Sequence, residues 1–142
     1  MSNQEKLEGS KNLLVRLETI QNEQGCISPT VLKELSVSLN IPLSEVYGVA
    51  TFYSFLSVKP RGKFIIRVCK SLPCHLKNSE KIIKSIEDKL GIAPGETTRD
   101  GKFSLELTNC IGACDVAPAM LINDKVHGNL THAEISRILK VV

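Results

Sequence analysis

The chain of 142 residues has no tryptophan, and aromatic residues make up only 4% of it. Any folded core must therefore be aliphatic. No apolar run approaches the ~20 residues that a membrane-spanning helix needs, so direct membrane insertion is not expected. Met1 to Lys11 is polar and lacks the apolar centre of a secretory signal, and the expected location is the cytoplasm. Charge of one sign is scarce too. The 18 Lys and Arg against 15 Asp and Glu leave a formal +3, too mild and too dispersed to argue for nucleic acid. A phosphate-cradling Gly loop, an acid/base pair and an activated nucleophile are all missing, so no catalytic site is expected on this chain alone.

The rest of the composition is that of a soluble globular protein, with 42% hydrophobic and 23% charged residues. Two regions differ in period. From about Lys6 to Phe55 the sequence reads as helices. Leu13, Leu14, Leu17 and Ile20 form an apolar stripe that Gly25 ends. Ser28 before Pro29 starts a second helix, with serine as cap and proline at the first helical position. Val31, Leu32, Leu35 and Leu39 form its stripe. A third helix is expected from about Leu43 to Phe55, with Val46, Val49, Ala50 and Tyr53 on one side. The aromatics of Thr51 to Phe55 are expected in the core, with partner docking as the alternative. Gly48 inside this helix costs about 1 kcal/mol against alanine; close helix packing would explain it, and so would close approach of a partner backbone.

Lys59-Pro60-Arg61-Gly62 reads as a linker. Beyond it, Phe64, Ile65, Ile66 and Val68 suit a buried strand with Cys69 at its end. A helix is expected from about His75 to Leu90, with Ser79, Ile82, Ile83, Ile86 and Leu90 inward and Gly91 ending it. Asp100-Gly101 marks a turn, and Phe103 to Leu107 alternates as a strand. Ala119 to Ile122 and Lys125 to His127 flank Asn123-Asp124 as a hairpin. Thr131 to Glu134 is a capping box before a last helix that buries Ile135, Ile138 and Leu139. The expected fold is α/β. A thioredoxin-like layer of helices on a small mixed sheet spans residues 61–142, preceded by a small helical bundle over residues 1–60.

Five cysteines are present. In the cytoplasm they are not expected to pair as structural disulfides, and clustered cysteines there point to metal or redox chemistry. Four residues separate Cys69 from Cys74, and three separate Cys110 from Cys114. Both pairs fall where strands should end, so two loops at one sheet edge can converge four thiolates. A 2Fe-2S cluster needs such a set. With its thiolates it carries a formal charge of about −2 oxidised and about −3 reduced, which backbone N–H groups aimed at the sulfurs offset. Gly112 and Ala113 suit close backbone approach. Leu72-Pro73 and Val116 to Ala119 are expected as apolar cover. Lys70, His75 and Lys77 add positive charge, and the helix after Cys74 is expected to aim its N-terminal dipole at the site.

Three other readings compete. Four unrelated buried thiols would be a coincidence of two close pairs. Structural zinc sites favour tighter spacings than these, and a dithiol oxidoreductase wants two residues between its cysteines. Zinc would suit a regulatory DNA-binding module, with residues 28 to 55 as a helix-turn-helix. Its second helix, however, carries no Arg or Lys between Leu43 and Val58, and DNA reading needs such groups.

The segments Cys69-Lys70-Ser71-Leu72-Pro73-Cys74-His75 and Cys110-Ile111-Gly112-Ala113-Cys114-Asp115-Val116-Ala117-Pro118-Ala119-Met120 resemble the thioredoxin-like 2Fe-2S ferredoxin family. So do Val46 to Phe55 upstream and Pro60-Arg61-Gly62-Lys63 before the first strand. The resemblance covers about residues 10 to 140. It implies that Cys69, Cys74, Cys110 and Cys114 are the cluster ligands, the first pair on one iron and the second on the other. It further implies an electron-transfer subunit that exchanges single electrons with FMN on an NAD(P)H-oxidising, iron-sulfur flavoprotein partner, alongside further iron-sulfur subunits. FMN and NAD(P) would bind the partner. Many members carry small residues where this chain has Lys-Ser-Leu-Pro, and Pro73 offers no N–H to a sulfur. The short polar N-terminus leans toward a bifurcating hydrogenase or formate dehydrogenase over respiratory complex I. Outside the four ligands, Cys26 is expected to be structural or incidental. His75 is expected at a helix N-terminus or behind the ligands, and His127 and His132 in turns or at the surface. Pro118 is expected to be cis.

Overall fold

A computed structural model describes residues 12–142; the expected helical residues Lys6 to Lys11 and the polar stretch Met1 to Lys11 lie outside them. The chain divides into two compact units, one through Arg61 and one from Gly62.

In the first unit, local caps fix three helices. Asn12 accepts a hydrogen bond from Leu14 N–H at 3.0 Å and starts α1 (Leu13–Gln24), which Gly25 ends at φ 79°. Ser28 caps α2 (Pro29–Leu39), and Asn40 ends it in the left-handed region. Pro42 precedes α3 (Leu43–Phe52). Leu17, Ile20, Ile27, Leu32, Leu35, Val46, Ala50 and Leu56 form an aliphatic core. The Gln21 carboxamide clamps the segment after α3, donating to Phe55 O and accepting from Ser57 N–H. The Arg61 guanidinium donates to Ser54, Phe55 and Leu56 carbonyls at 3.1 Å each.

Two expectations fail here. Tyr53 turns extended, so α3 stops at Phe52 and does not reach Phe55. Its aromatics are not all core. Tyr53 packs inward, but Phe52 is 79% exposed and Phe55 43%. Val46, Ala50 and Tyr53 already occupy the buried side, and Phe52 falls on the other. Gly48 is exposed with nothing within 4 Å of where a Cβ would lie, so close packing within the unit does not explain it.

The second unit runs β1 (Phe64–Cys69), α4 (Leu72–Leu76), α5 (Ser79–Leu90), β2 (Phe103–Thr108), a 3-10 turn (Cys114–Val116), β3 (Met120–Ile122), β4 (Lys125–His127) and α6 (His132–Val141). The sheet order is β2-β1-β3-β4. β1 and β2 are parallel, pairing Phe64 with Phe103 through Cys69 with Thr108, while β3 is antiparallel to β1 and β4 to β3. Ile66, Val68, Phe103, Leu105, Met120 and Ile122 point to one face, where Ile82, Ile86, Ile135 and Ile138 of α5 and α6 cover them. The register sets Arg67 opposite Glu106, and their side chains pair at 3.0 Å. Gly62 fits only because it has no side chain. An added Cβ would lie 2.6 Å from the Phe103 carbonyl carbon, while Gly62 N–H donates to Ser104 Oγ at 2.7 Å.

The helix expected from His75 to Leu90 is two helices. Asn78 takes the left-handed conformation at φ 64° and separates α4 from α5. Asparagine enters that region more readily than most residues, and an apolar stripe does not register such a break.

Candidate functional site

β1 and β2 are parallel, so their carboxyl ends lie at one edge of the sheet, the usual location for ligands on parallel strands. Cys69 is the last residue of β1. Cys74 follows inside α4, its side chain turned inward. Both are buried, at 1% exposure, and pack with Ala117 and Ala119, with Ile111 and Ala113 half-buried beside them. Cys69 N–H donates to Ala119 O at 3.2 Å, tying the end of β1 to the segment leading into β3. Cys110 lies just past β2, and Cys114 opens the 3-10 turn. These two thiols are exposed, with sulfurs 3.3 Å apart. That is well beyond the ~2.05 Å of a disulfide.

Electrostatics links the two pairs. Burial pushes the Cys74 thiol above its ordinary pKa; a hydrogen bond with the Ala119 backbone opposes this, and the neighbouring Cys69 and Cys110 add to the rise. Cys110 is held below its ordinary value, first by the Gly112 N–H and then by Cys114. The Gly112 N–H lies 3.4 Å from Cys110 Sγ, with Gly112 at φ 77°. Cys114 is raised, chiefly by its hydrogen bond with Cys110 and further by the charges of Cys110, Cys74 and Cys69.

The pKa order gives a direct prediction for metal-free protein. With Cys110 lowered and Cys74 and Cys114 raised, Cys110 should carry a larger thiolate fraction than either near neutral pH, and the thiolate is the nucleophile. Timed iodoacetamide labelling read by peptide mass should modify Cys110 first and Cys114 more slowly. Cys69 and Cys74 should come last, because they are buried. The Cys110 rate should level off at lower pH than the Cys114 rate. Cys74 reacting first would contradict this order.

Among the described residues, no three His, Cys, Asp or Glu side chains converge as ligands of a single metal ion. A structural zinc site asks four ligands to meet around one ion, at about 2.3 Å for sulfur. Here the thiols form two couples, Cys69 with Cys74 and Cys110 with Cys114, each in reach of the other's charge. A 2Fe-2S centre uses cysteines in that form, two on each iron. Backbone donors already aimed at Cys110 and Cys74 are what a negatively charged cluster requires.

Several surroundings differ from expectation. Ala117 and Ala119 do pack with the cysteines, but Leu72 is 67% exposed and lies outside that cluster. Leu76, one turn later, is 73% exposed. The long helix after Cys74 is α5, which begins only at Ser79, beyond the five-residue α4 that contains Cys74. His75 lies within α4 and sits 3.5 Å from Glu80. His132 begins α6, with Nδ1 2.7 Å from Ser85 Oγ, and Thr131 caps that helix. Burial, and then Lys125, lower the His127 pKa. Cys26 is half-buried between α1 and α2. The Ala117–Pro118 peptide is cis.

Sequence reasoning missed the support behind Cys114. Asn129 N–H donates to Val116 O at 2.6 Å, and Leu130 N–H to Pro118 O at 3.1 Å. The only signal was the Gly128-Asn129 pair after a short strand, which reads as an ordinary turn.

A family model described as thioredoxin-like [2Fe-2S] ferredoxin matches residues 2–142. A subunit of the NADH-quinone oxidoreductase of Aquifex aeolicus is 41% identical over 89% of this chain and 79% of its own. The HndA subunit of the NADP-reducing hydrogenase of Solidesulfovibrio fructosivorans is 34% identical over 90% of this chain and 75% of its own. Among solved structures, an NAD+-reducing [NiFe]-hydrogenase in the air-oxidised state superposes with a TM-score of 0.75 at 26% identity, over 87% of this chain. That match spans only 22% of the hydrogenase chain.

Proposed function

Because this chain belongs to the thioredoxin-like [2Fe-2S] ferredoxin family, we propose that it is the electron-transfer subunit of an NAD(P)H-linked oxidoreductase complex. Cys69, Cys74, Cys110 and Cys114 would hold one 2Fe-2S cluster. The observation that carries this reading is the arrangement of two thiol couples at the carboxyl ends of paired parallel strands. When bound, the cluster supplies one-electron exchange with the flavin of a partner that handles NAD(P)H. The chain's own residues set the conditions. Cys69 and Cys74 offer a dry couple under Ala117 and Ala119, and Cys110 and Cys114 a solvent-facing one. Gly112 N–H places positive charge at a sulfur, which raises the potential.

In this reading residues 1–60 form a helical domain and residues 61–142 the cluster-bearing domain. FMN and the nicotinamide belong to the partner, an iron-sulfur flavoprotein, with further iron-sulfur subunits beyond it. The host is proposed only as a class, since the relatives named above include both an NADH-quinone oxidoreductase subunit and a hydrogenase subunit. The leaning toward a bifurcating hydrogenase or formate dehydrogenase finds no support in them. No helix among the described residues is long and apolar enough to cross a membrane, and the cytoplasm is the proposed location.

The test starts from the complex that co-purifies with the tagged chain. Its FMN-bearing subunit is mixed with reconstituted chain and NADH or NADPH under anaerobic conditions. A reduced-cluster EPR signal should develop only when the flavoprotein and a nicotinamide are both present. A cluster that dithionite reduces but this pair does not would remove the proposed partner.

A further inference from the structure

Cys114 is exposed, and its thiol meets the Cys110 sulfur. Its position must therefore come from the backbone of its own turn. That turn ends at Val116, whose N–H donates to Ala113 O at 3.3 Å and whose carbonyl accepts from Asn129. Asn129 is followed by Leu130, buried at 4% in the core beside Ile135 and Ile138. A short, hydrogen-bonded route thus runs from the core of the second unit to the turn that presents Cys114.

Gly128 stands at the closest point of that route. An added Cβ would lie 2.5 Å from Val116 Cβ and 2.8 Å from Val116 O. Its need for glycine is steric, not conformational. Gly25, Gly91, Gly95, Gly101 and Gly112 all have positive φ and open space where a Cβ would go. Gly128 shows neither feature. Real Cβ atoms do not approach others this closely, so a side chain here must displace the Val116 backbone, and Cys114 lies two residues away in the same turn.

We propose that Gly128 is a positioning residue: by leaving room for Val116, it seats the Cys114–Val116 turn and fixes where the Cys114 thiol meets the site. The link to cluster properties rests on the function proposed above; the seating of Cys114 does not. Gly62 is the natural control. It is equally crowded but faces Phe103 and Ser104, away from the cysteine loop.

Full-length Gly128→Ala and Gly62→Ala would be compared with wild type in two states. In metal-free protein, the iodoacetamide rate at Cys114, normalised to Cys26, should change in Gly128→Ala and stay as wild type in Gly62→Ala. After reconstitution, Gly128→Ala should show shifted EPR g-values, and its cluster should be held about 10–100-fold more weakly against a chelator. Gly62→Ala should lower thermal stability with unchanged g-values. If Gly128→Ala does not fold, Val116→Gly, which opens the same contact, should alter the same two readouts. Wild-type Cys114 reactivity and g-values in the folded Gly128→Ala protein, or failing that in Val116→Gly, would overturn the proposal. If wild type takes up no iron and sulfide, the cluster reading fails, and the metal-free labelling still decides the seating of Cys114.

Discussion

Cys74→Ala is expected to give a folded chain that retains no iron-sulfur cluster. Cys74 lies on the inner side of α4 and is only 1% exposed. The substitution deletes one sulfur atom from a small apolar cluster whose other members are Cys69, Ala117 and Ala119. Such a loss costs stability on the scale of ordinary point changes, about 1 kcal/mol. Its effect on ligation is far larger, because one iron would be left with a single thiolate and no substitute at hand. His75 is next in sequence, but its imidazole is exposed and faces Glu80. Leu72 and Leu76 flank Cys74 on the same short helix and offer no donor. Visible charge-transfer absorption and bound iron should both vanish on anaerobic purification, with the far-UV spectrum kept. Cys26→Ala, in the other unit, should keep both. Full iron content in Cys74→Ala would remove Cys74 from the ligand set.

Leu105→Ala is expected to cost about 2–5 kcal/mol, the range for truncating a fully buried leucine. Leu105 is 0% exposed at the middle of β2, paired with Ile66 of β1 and packed within the core under α5 and α6. With so few aromatic residues in the chain, aliphatic contacts of this kind carry the second unit. For a domain of this size each kcal/mol shifts the melting temperature by about 4–8 °C, so a fall of at least about 8 °C is expected. β2 also delivers Cys110, so cluster bleaching and loss of the circular-dichroism signal should move down together on heating. A shift of only one or two degrees would show that the sheet core does not hold the site in place.

The order of elements was legible because each carried a local signal. Ser28, Gly25, Thr131 and Asn123-Asp124 mark ends and turns through chemistry that acts within a few residues. The cysteine couples were legible by spacing, and their place at strand ends by the apolar run before Cys69. What was not legible depends on distant or unusual backbone. The break at Asn78 needs one left-handed residue, which an apolar period does not register. The exposure of Phe52 depends on where α3 stops and which side its smaller neighbours fill. The outward turn of Leu72 follows from α4 being a separate short helix that turns Cys74 inward. Gly128 matters only through Val116, a neighbour that the fold supplies and that no local sequence pattern points to.

Metal and sulfide analysis of the wild-type chain, purified or reconstituted without oxygen, tests the central claim most directly. The expected result is about two iron atoms and two acid-labile sulfides per chain, with an EPR signal on reduction. One equivalent of zinc with no sulfide, or cysteines that bind neither metal, would contradict it.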